Sequence, residues 1–333
     1  MLARVAENVY WFARYLERAE NTARLVNVNA HLLLDLPRGI APGWLPLVDI
    51  SGSRDAFDAR HPKADERNVV HYLVADPENP GSIYRSLRAA RENARTLREV
   101  LPTAAWEMLN EFHAAFARDL GGSLTKRVRF NFLNGIVRSL QLVSGALDGT
   151  MNRNAAHTFL LLGRDLERAD MTSRIIDVRS AQLLPAETPE LRPFESVQWM
   201  SVLKSLSGYQ MYRFAVRSRV RRADVLQFLL RNEQFPRTCL FCLNQLEPLL
   251  RSLPRSEPVL ETLEAARGYL ARAALDSLDQ PGLHAFIDRL QLRINEVHEG
   301  VARLYFPRDW VSGEPRLVQQ GRAQSQRQTR LAF

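Results

Sequence analysis

The sequence predicts an all-α fold, a helical bundle built from two related halves that repeat a charged Arg-x-x-Glu-Arg helix about a pseudo-twofold. Three observations carry this reading. Apolar residues recur at the helical period along most of the chain, convincing strand alternation is absent, and one charged helix is written twice. Arg14–Val28 reads RYLERAENTARLVNV and Arg164–Val178 reads RDLERADMTSRIIDV. The copies lie 150 residues apart and share eight of fifteen letters, every Arg included.

The first helix sets Phe12, Leu16, Ala19, Ala23 and Val26 on one side at 100° per residue, a stripe that faces a core. From its end to residue 82, clusters of Pro, Gly and Asp read as loops around short helices near Trp44 and Val69–Val74. A helix over 82–101 buries Ile83, Leu87, Ala90, Ala94, Leu97 and Leu101, with Ser82 as N-cap and Pro102 as its stop. Another helix resumes and ends before Gly121–Gly122. Further helices are expected over about 127–148, 155–183, 194–218, 222–231, 237–252, 258–277 and 282–305. From Pro307 the apolar period is lost, and five Arg against Asp309 and Glu314 supply +3 of the net charge of +8. Residues 313–333 read as a mobile basic tail. Residues 1–312 form one domain of two halves, about 1–150 and 151–312, because helical hairpins need neighbours to bury their apolar faces.

At 333 residues, 46% apolar and 25% charged, the composition is that of an ordinary globular protein. No run reaches the roughly 18 apolar residues of a membrane span, and the N-terminus mixes charge throughout, unlike a secretory signal. Two cysteines make no disulfide framework, so a cytoplasmic protein is expected. The only lysines are Lys63, Lys126 and Lys204, leaving 42 of the 45 basic residues as Arg. A GC-rich genome would do this. So would a need for guanidinium forks in carboxylate pairs or phosphate recognition.

Opposite the apolar stripe, Arg14, Glu17, Arg18, Asn21 and Arg24 fall within an arc of about 120°. Arg164, Glu167, Arg168, Met171 and Arg174 share that arc in the second copy. Glu20 precedes Arg24, and Asp170 precedes Arg174, by four residues, an orientation worth about 0.3–0.5 kcal/mol per pair. Three readings of this face stay open. It is a buried Arg–Glu lattice in which each charge meets its partner on the other copy, a site for a carboxylate, phosphate or partner, or a solvated surface. Trp11, Tyr15 and Leu25 flank the charges and could cover both sides of the helix. Just upstream of the second copy, Gly145, Gly149 and Gly163 permit close approach, and Asp148, Thr150, Asn152 and Arg153 would wall any pocket. Ordinary helix-end chemistry explains the same letters. His157 is the one histidine near the charged helix, either a general base or a capping and core group.

Four stretches, LARVAENVYWFARYLERAENTARLV, ENPGSIYRSLRAARENARTLREVL, LDGTMNRNAAHTFLLLGRDLERADMTSRIIDV and EQFPRTCLFCLNQ, together resemble the alpha-E domain family. The resemblance runs in order from residue 2 to about 305 and leaves out the tail. It implies an all-helical bacterial protein encoded or fused beside a circularly permuted ATP-grasp-like protein, often with a transglutaminase-like protease. By that association the chain is the helical component of an amide or peptide ligation system. No catalytic residue comes with the resemblance; the Arg and Glu positions above are its matching motif.

The chain has no G-x-x-x-x-G-K-[ST] loop, so no cofactor is expected in the isolated chain and ATP enters only through a partner. None of the seven histidines follows a Glu by three, H-E-x-x-H is absent, and no metal is expected. Cys239 and Cys242 stand among Leu240, Phe241 and Leu243 as core cysteines. Glu17 and Glu167 would need raised pKa values to act as bases, and their Arg neighbours oppose that. The expected function is therefore an accessory or co-catalytic partner of an ATP-grasp-type ligase. The alternatives are a stand-alone enzyme acting on a peptide or amino acid at the Arg/Glu cluster, or an Arg-rich nucleic-acid binder. The last is disfavoured because the arginines alternate with acids.

Overall fold

A computed structural model describes residues 1–37, 42–181 and 192–306. Among them every regular element is a helix. In chain order the α-helices are α1 Ala3–Asp35, α2 Leu45–Ile50, α3 Arg54–Asp58, α4 Glu66–Val74, α5 Ile83–Arg95, α6 Thr103–Asp119, α7 Lys126–Thr150 and α8 Ala155–Ala181. Then come α9 Arg192–Ser205, α10 Tyr209–Val216, α11 Arg222–Arg231, α12 Cys239–Arg251, α13 Glu257–Arg272 and α14 Gln280–Tyr305. The expected tail over 313–333 lies outside the described residues.

Local chemistry sets several of these boundaries. Ser82 caps α5 by accepting from the Arg85 amide at 3.1 Å, and Asp65 and Thr238 cap α4 and α12 in the same way. Three expected helices end early. The one over 82–101 stops at Arg95, seven residues before Pro102, which instead stands at the N-terminus of α6. The run over 194–218 is broken between α9 and α10, where Ser207 adopts φ 55° ahead of Gly208. The run over 258–277 stops at Arg272 and continues only as a 3-10 turn, Leu275–Ser277. In these last two, apolar spacing outlasts the helix because the turn residues also point inward: Leu206 and Leu275 are buried.

The described residues group into two compact units, each discontinuous in sequence. The first gathers Met1–Asn27, Leu47–Arg164 and the chain from Val301; the second gathers Val28–Pro46 and Asp165–Gly300. Helices α1, α2, α8 and α14 therefore contribute to both. Apart from Val28 the first charged copy belongs to the first unit, and apart from Arg164 the second copy belongs to the second.

In the first unit the core is aromatic and aliphatic. Tyr10 packs on Phe306 at 5.3 Å between ring centres, Phe159 on Tyr305 at 5.3 Å, and Phe57 on Tyr72 at 5.1 Å. Leu133, Ile136, Leu140 and Val143 turn the inner face of α7 into it. Helix α8 comes so close to α1 at Gly163 that an added Cβ would lie 2.2 Å from the Tyr10 carbonyl oxygen. In the second unit Trp199, Tyr212, Leu226 and Leu229 are fully buried, and Phe228 stacks on Phe235. Cys239 and Cys242 are buried as expected, and burial pushes the Cys239 thiol up to about 12. Both are core groups.

Candidate functional site

The charged face of α1 is not solvated. Arg14, Glu17, Glu20, Asn21 and Arg24 are all buried, and Trp11, Tyr15 and Leu25, expected to flank them, are buried too. The reading of this face as plain surface is corrected by that burial. A hydrogen-bonded row runs along it: Asn21 donates to Glu17 Oε1 at 3.2 Å, and Arg24 donates to Asn21 Oδ1 at 3.3 Å and pairs with Glu20. Gln141 of α7 also donates to Glu20, at 3.3 Å. Arg14 donates to the Tyr10 hydroxyl at 3.3 Å with its guanidinium 5.0 Å from the Trp11 ring, and Arg18 lies 5.8 Å from the Tyr15 ring. Polar side chains in this setting gain by being held together, since each would cost several kcal/mol if left alone.

The second copy behaves alike within its own unit. Asp165 and Glu167 are buried, Arg168 approaches Asp165 at 3.7 Å, and the expected Asp170–Arg174 pair forms at 2.9 Å.

Arg164, the first residue of that copy, lies in the first unit and lines a cleft with Glu17, Asp148, Ser144 and His157. The cleft opens to solvent, and its space of about 400 Å³ includes that open solvent; Ala13, Leu16, Leu147 and Leu160 form its apolar walls. Helix geometry explains the gathering. Ser144 and Asp148 share one face of α7, His157 and Arg164 share one face of α8, and Ala13, Leu16 and Glu17 share one of α1.

At the rim, Arg153 donates to the Asp148 carboxylate at 3.2 Å and to its backbone carbonyl at 2.6 Å, and bonds Nε2 of His157. Because a guanidinium only donates, that imidazole nitrogen accepts, and its lone pair is engaged. Burial, and then the Arg153 charge, hold His157 below the usual histidine range, so the ring is neutral at pH 7. Thr150 is not part of the cleft; exposed, it turns its hydroxyl back onto the Ala146 carbonyl. Sequence reasoning missed Gln141 and Ser144. Their spacing of seven and four residues before Asp148 was the available signal.

The cleft thus offers a carboxylate from Glu17, a second carboxylate at its rim and a guanidinium from Arg164, between apolar walls. Such a set can hold an ammonium and a carboxylate at once, the two ends of an amino acid or short peptide. Elsewhere, Asp177, His284 and Asp288 of the second unit bring donor atoms within 4.8 Å of one another. Each imidazole nitrogen there is already directed at a carboxylate, Nδ1 at Asp177 (2.7 Å) and Nε2 at Asp288 (3.5 Å). Burial raises the Asp177 pKa despite that bond, and the bond raises His284.

A family model described as a predicted alpha-helical domain with a conserved ER motif matches residues 1–306. The Glu-Arg dipeptides of the two copies are Glu17–Arg18 and Glu167–Arg168. Among curated relatives, an uncharacterised protein of Mycobacterium bovis is 24% identical over 271 residues, covering 76% of this chain and 30% of its own length. Uncharacterised proteins from two strains of Mycobacterium tuberculosis are 24% and 23% identical over the same length. The chain spans less than a third of these relatives. No solved structure matches it. No helix among the described residues is long and apolar enough to cross a membrane.

Proposed function

The chain belongs to the Alpha-E family, and from that premise we propose that it is the helical, accessory or co-catalytic component of an ATP-grasp-type amide or peptide ligation system. Its Glu17–Arg164 cleft holds the amino-acid or peptide end that is joined or released. The observation that carries the reading is the mixed charge of that cleft. A carboxylate from the first copy and a guanidinium from the start of the second share apolar walls, which suits a zwitterionic end better than a polyanion. The relatives' greater length supports it as well, because there the matching region lies in a longer polypeptide. ATP and the activated acyl group would come from the partner, a circularly permuted ATP-grasp-like protein. A transglutaminase-like protease would act on the same products.

A stand-alone enzyme needs a base in the cleft. His157 is neutral, but its Nε2 lone pair is committed to Arg153, and that weighs toward binding over proton transfer. The deciding experiment is calorimetric titration of the isolated chain and its Arg164→Met variant with free amino acids and dipeptides. Turnover of the chain alone, of the ATP-grasp partner alone and of the pair would be measured alongside. Binding that weakens tenfold or more in the variant, with turnover only in the pair, is expected. Full turnover by either protein alone would sink the proposal.

A further inference from the structure

One residue beyond the charged copies, the 150-residue register pairs Asn29 with Arg179. In the second unit these two touch: Arg179 Nη2 donates to Asn29 Oδ1 at 2.7 Å, and Asn29 Nδ2 donates to the Gly43 carbonyl at 3.1 Å. Asn29 is therefore oriented by backbone and presents its oxygen to the guanidinium. Arg179 is 4% exposed, and its Nε and Nη1 find no acceptor among the described residues. No carboxylate among them forms an ion pair with it. Burial alone draws its pKa down to about 10, so it remains a cation at neutral pH. Two other buried arginines differ: Arg24 pairs with Glu20, and Arg129 with Glu66 at 2.7 Å.

A buried cation held by one neutral amide is costly, and replacing such a group by an apolar one is commonly neutral or stabilising. Fold stability therefore does not account for Arg179. An oxyanion would account for it, since the N–H groups of Nε and Nη1 are the donors that a carboxylate or phosphate takes up. We propose that Arg179, oriented by Asn29, is the core of an oxyanion-binding site in the second unit, taking a small carboxylate or phosphate group. It is a site separate from the cleft of the first unit and independent of that cleft's function.

The test is thermal unfolding of the full chain, titrated with sodium glutamate or inorganic phosphate against sodium chloride at matched ionic strength. Wild type should gain a saturable rise in Tm of about 3–6 °C at a hundred times Kd with at least one oxyanion, and none with chloride. Whichever anion acts identifies the group as carboxylate or phosphate. Arg179→Met should melt at or above the wild type in chloride and lose the response. Asn29→Asp, which supplies an internal carboxylate, should raise Tm in chloride and also abolish the response. The proposal is overturned if neither oxyanion gives a saturable shift or if Arg179→Met retains it. It is equally overturned if Arg179→Met melts well below wild type in chloride, or if Asn29→Asp lowers Tm.

Discussion

Glu17 and Glu167 occupy the same place in their two copies, and both are almost wholly withdrawn from water, at 4% and 1% exposure. Each follows one arginine by three residues and directly precedes another. Changing either to Gln keeps the shape and removes the charge that offsets those guanidinium groups. Glu17→Gln and Glu167→Gln should each cost about 3–5 kcal/mol, a large share of the roughly 5–15 kcal/mol that holds a typical domain together. Denaturant unfolding measures this. A variant that unfolds like the wild type, assembles with its partner and yet loses turnover would make the carboxylate catalytic. Two of the perturbed histidines, His284 and His157, diverge in a way that NMR titration can read. His284 should titrate above 6.5, held up by Asp177, and His157 below it. The His284 attraction is fully present below about 6.5 and is lost as pH rises through the raised value. It is worth only about 0.2–1 kcal/mol, because the ring is more than half exposed. His157 works in the opposite sense, its contribution present above 6.5 and lost as pH falls through the lowered value. The reverse order of the two would contradict the geometry of both sites.

At the level of elements, the glycines of α7 and α8 look alike in sequence and differ in surroundings. Gly163→Ala would drive a Cβ into the Tyr10 carbonyl, which no side-chain rotation can relieve, whereas a Cβ at Gly135 meets nothing within 4 Å. The first should destabilise by about 1–3 kcal/mol, and the second should stabilise by about 0.5–1 kcal/mol. Equal melting temperatures would remove the close helix contact from the fold. The same contrast shows what was legible beforehand. Ser82 and the Glu20–Arg24 pair act within four residues of their partners, so spacing alone revealed them, whereas Pro102 does not stop α5, which ends at Arg95. The α9–α10 break was half legible, since Ser207–Gly208 is a turn dipeptide hidden inside an apolar period. The cleft was visible as a charged face but not as a cleft, because Ser144 lines it, and Gln141 reaches Glu20, only once α7 packs beside α1. Thr150 was misplaced because a hydroxyl at a helix end so readily bonds the carbonyl four residues back.

For the molecule as a whole, the chain carries no phosphate-cradling glycine loop, so the purified protein should show no micromolar ATP binding in calorimetry. Ligase activity should appear only with a partner, and tight binding by the chain alone would overturn that division of labour. The two compact units bear on how the protein is made. The first is closed by Val301–Phe306, with Phe306 packed against Tyr10. A chain leaving the ribosome N-terminus first therefore cannot finish its first unit until nearly three hundred intervening residues have emerged. During that interval Tyr10 lacks its Phe306 contact, and that late contact must close across nearly three hundred residues, the slow and aggregation-exposed kind of closure. The core that Tyr10 opens is completed only by Phe306, made almost three hundred positions later.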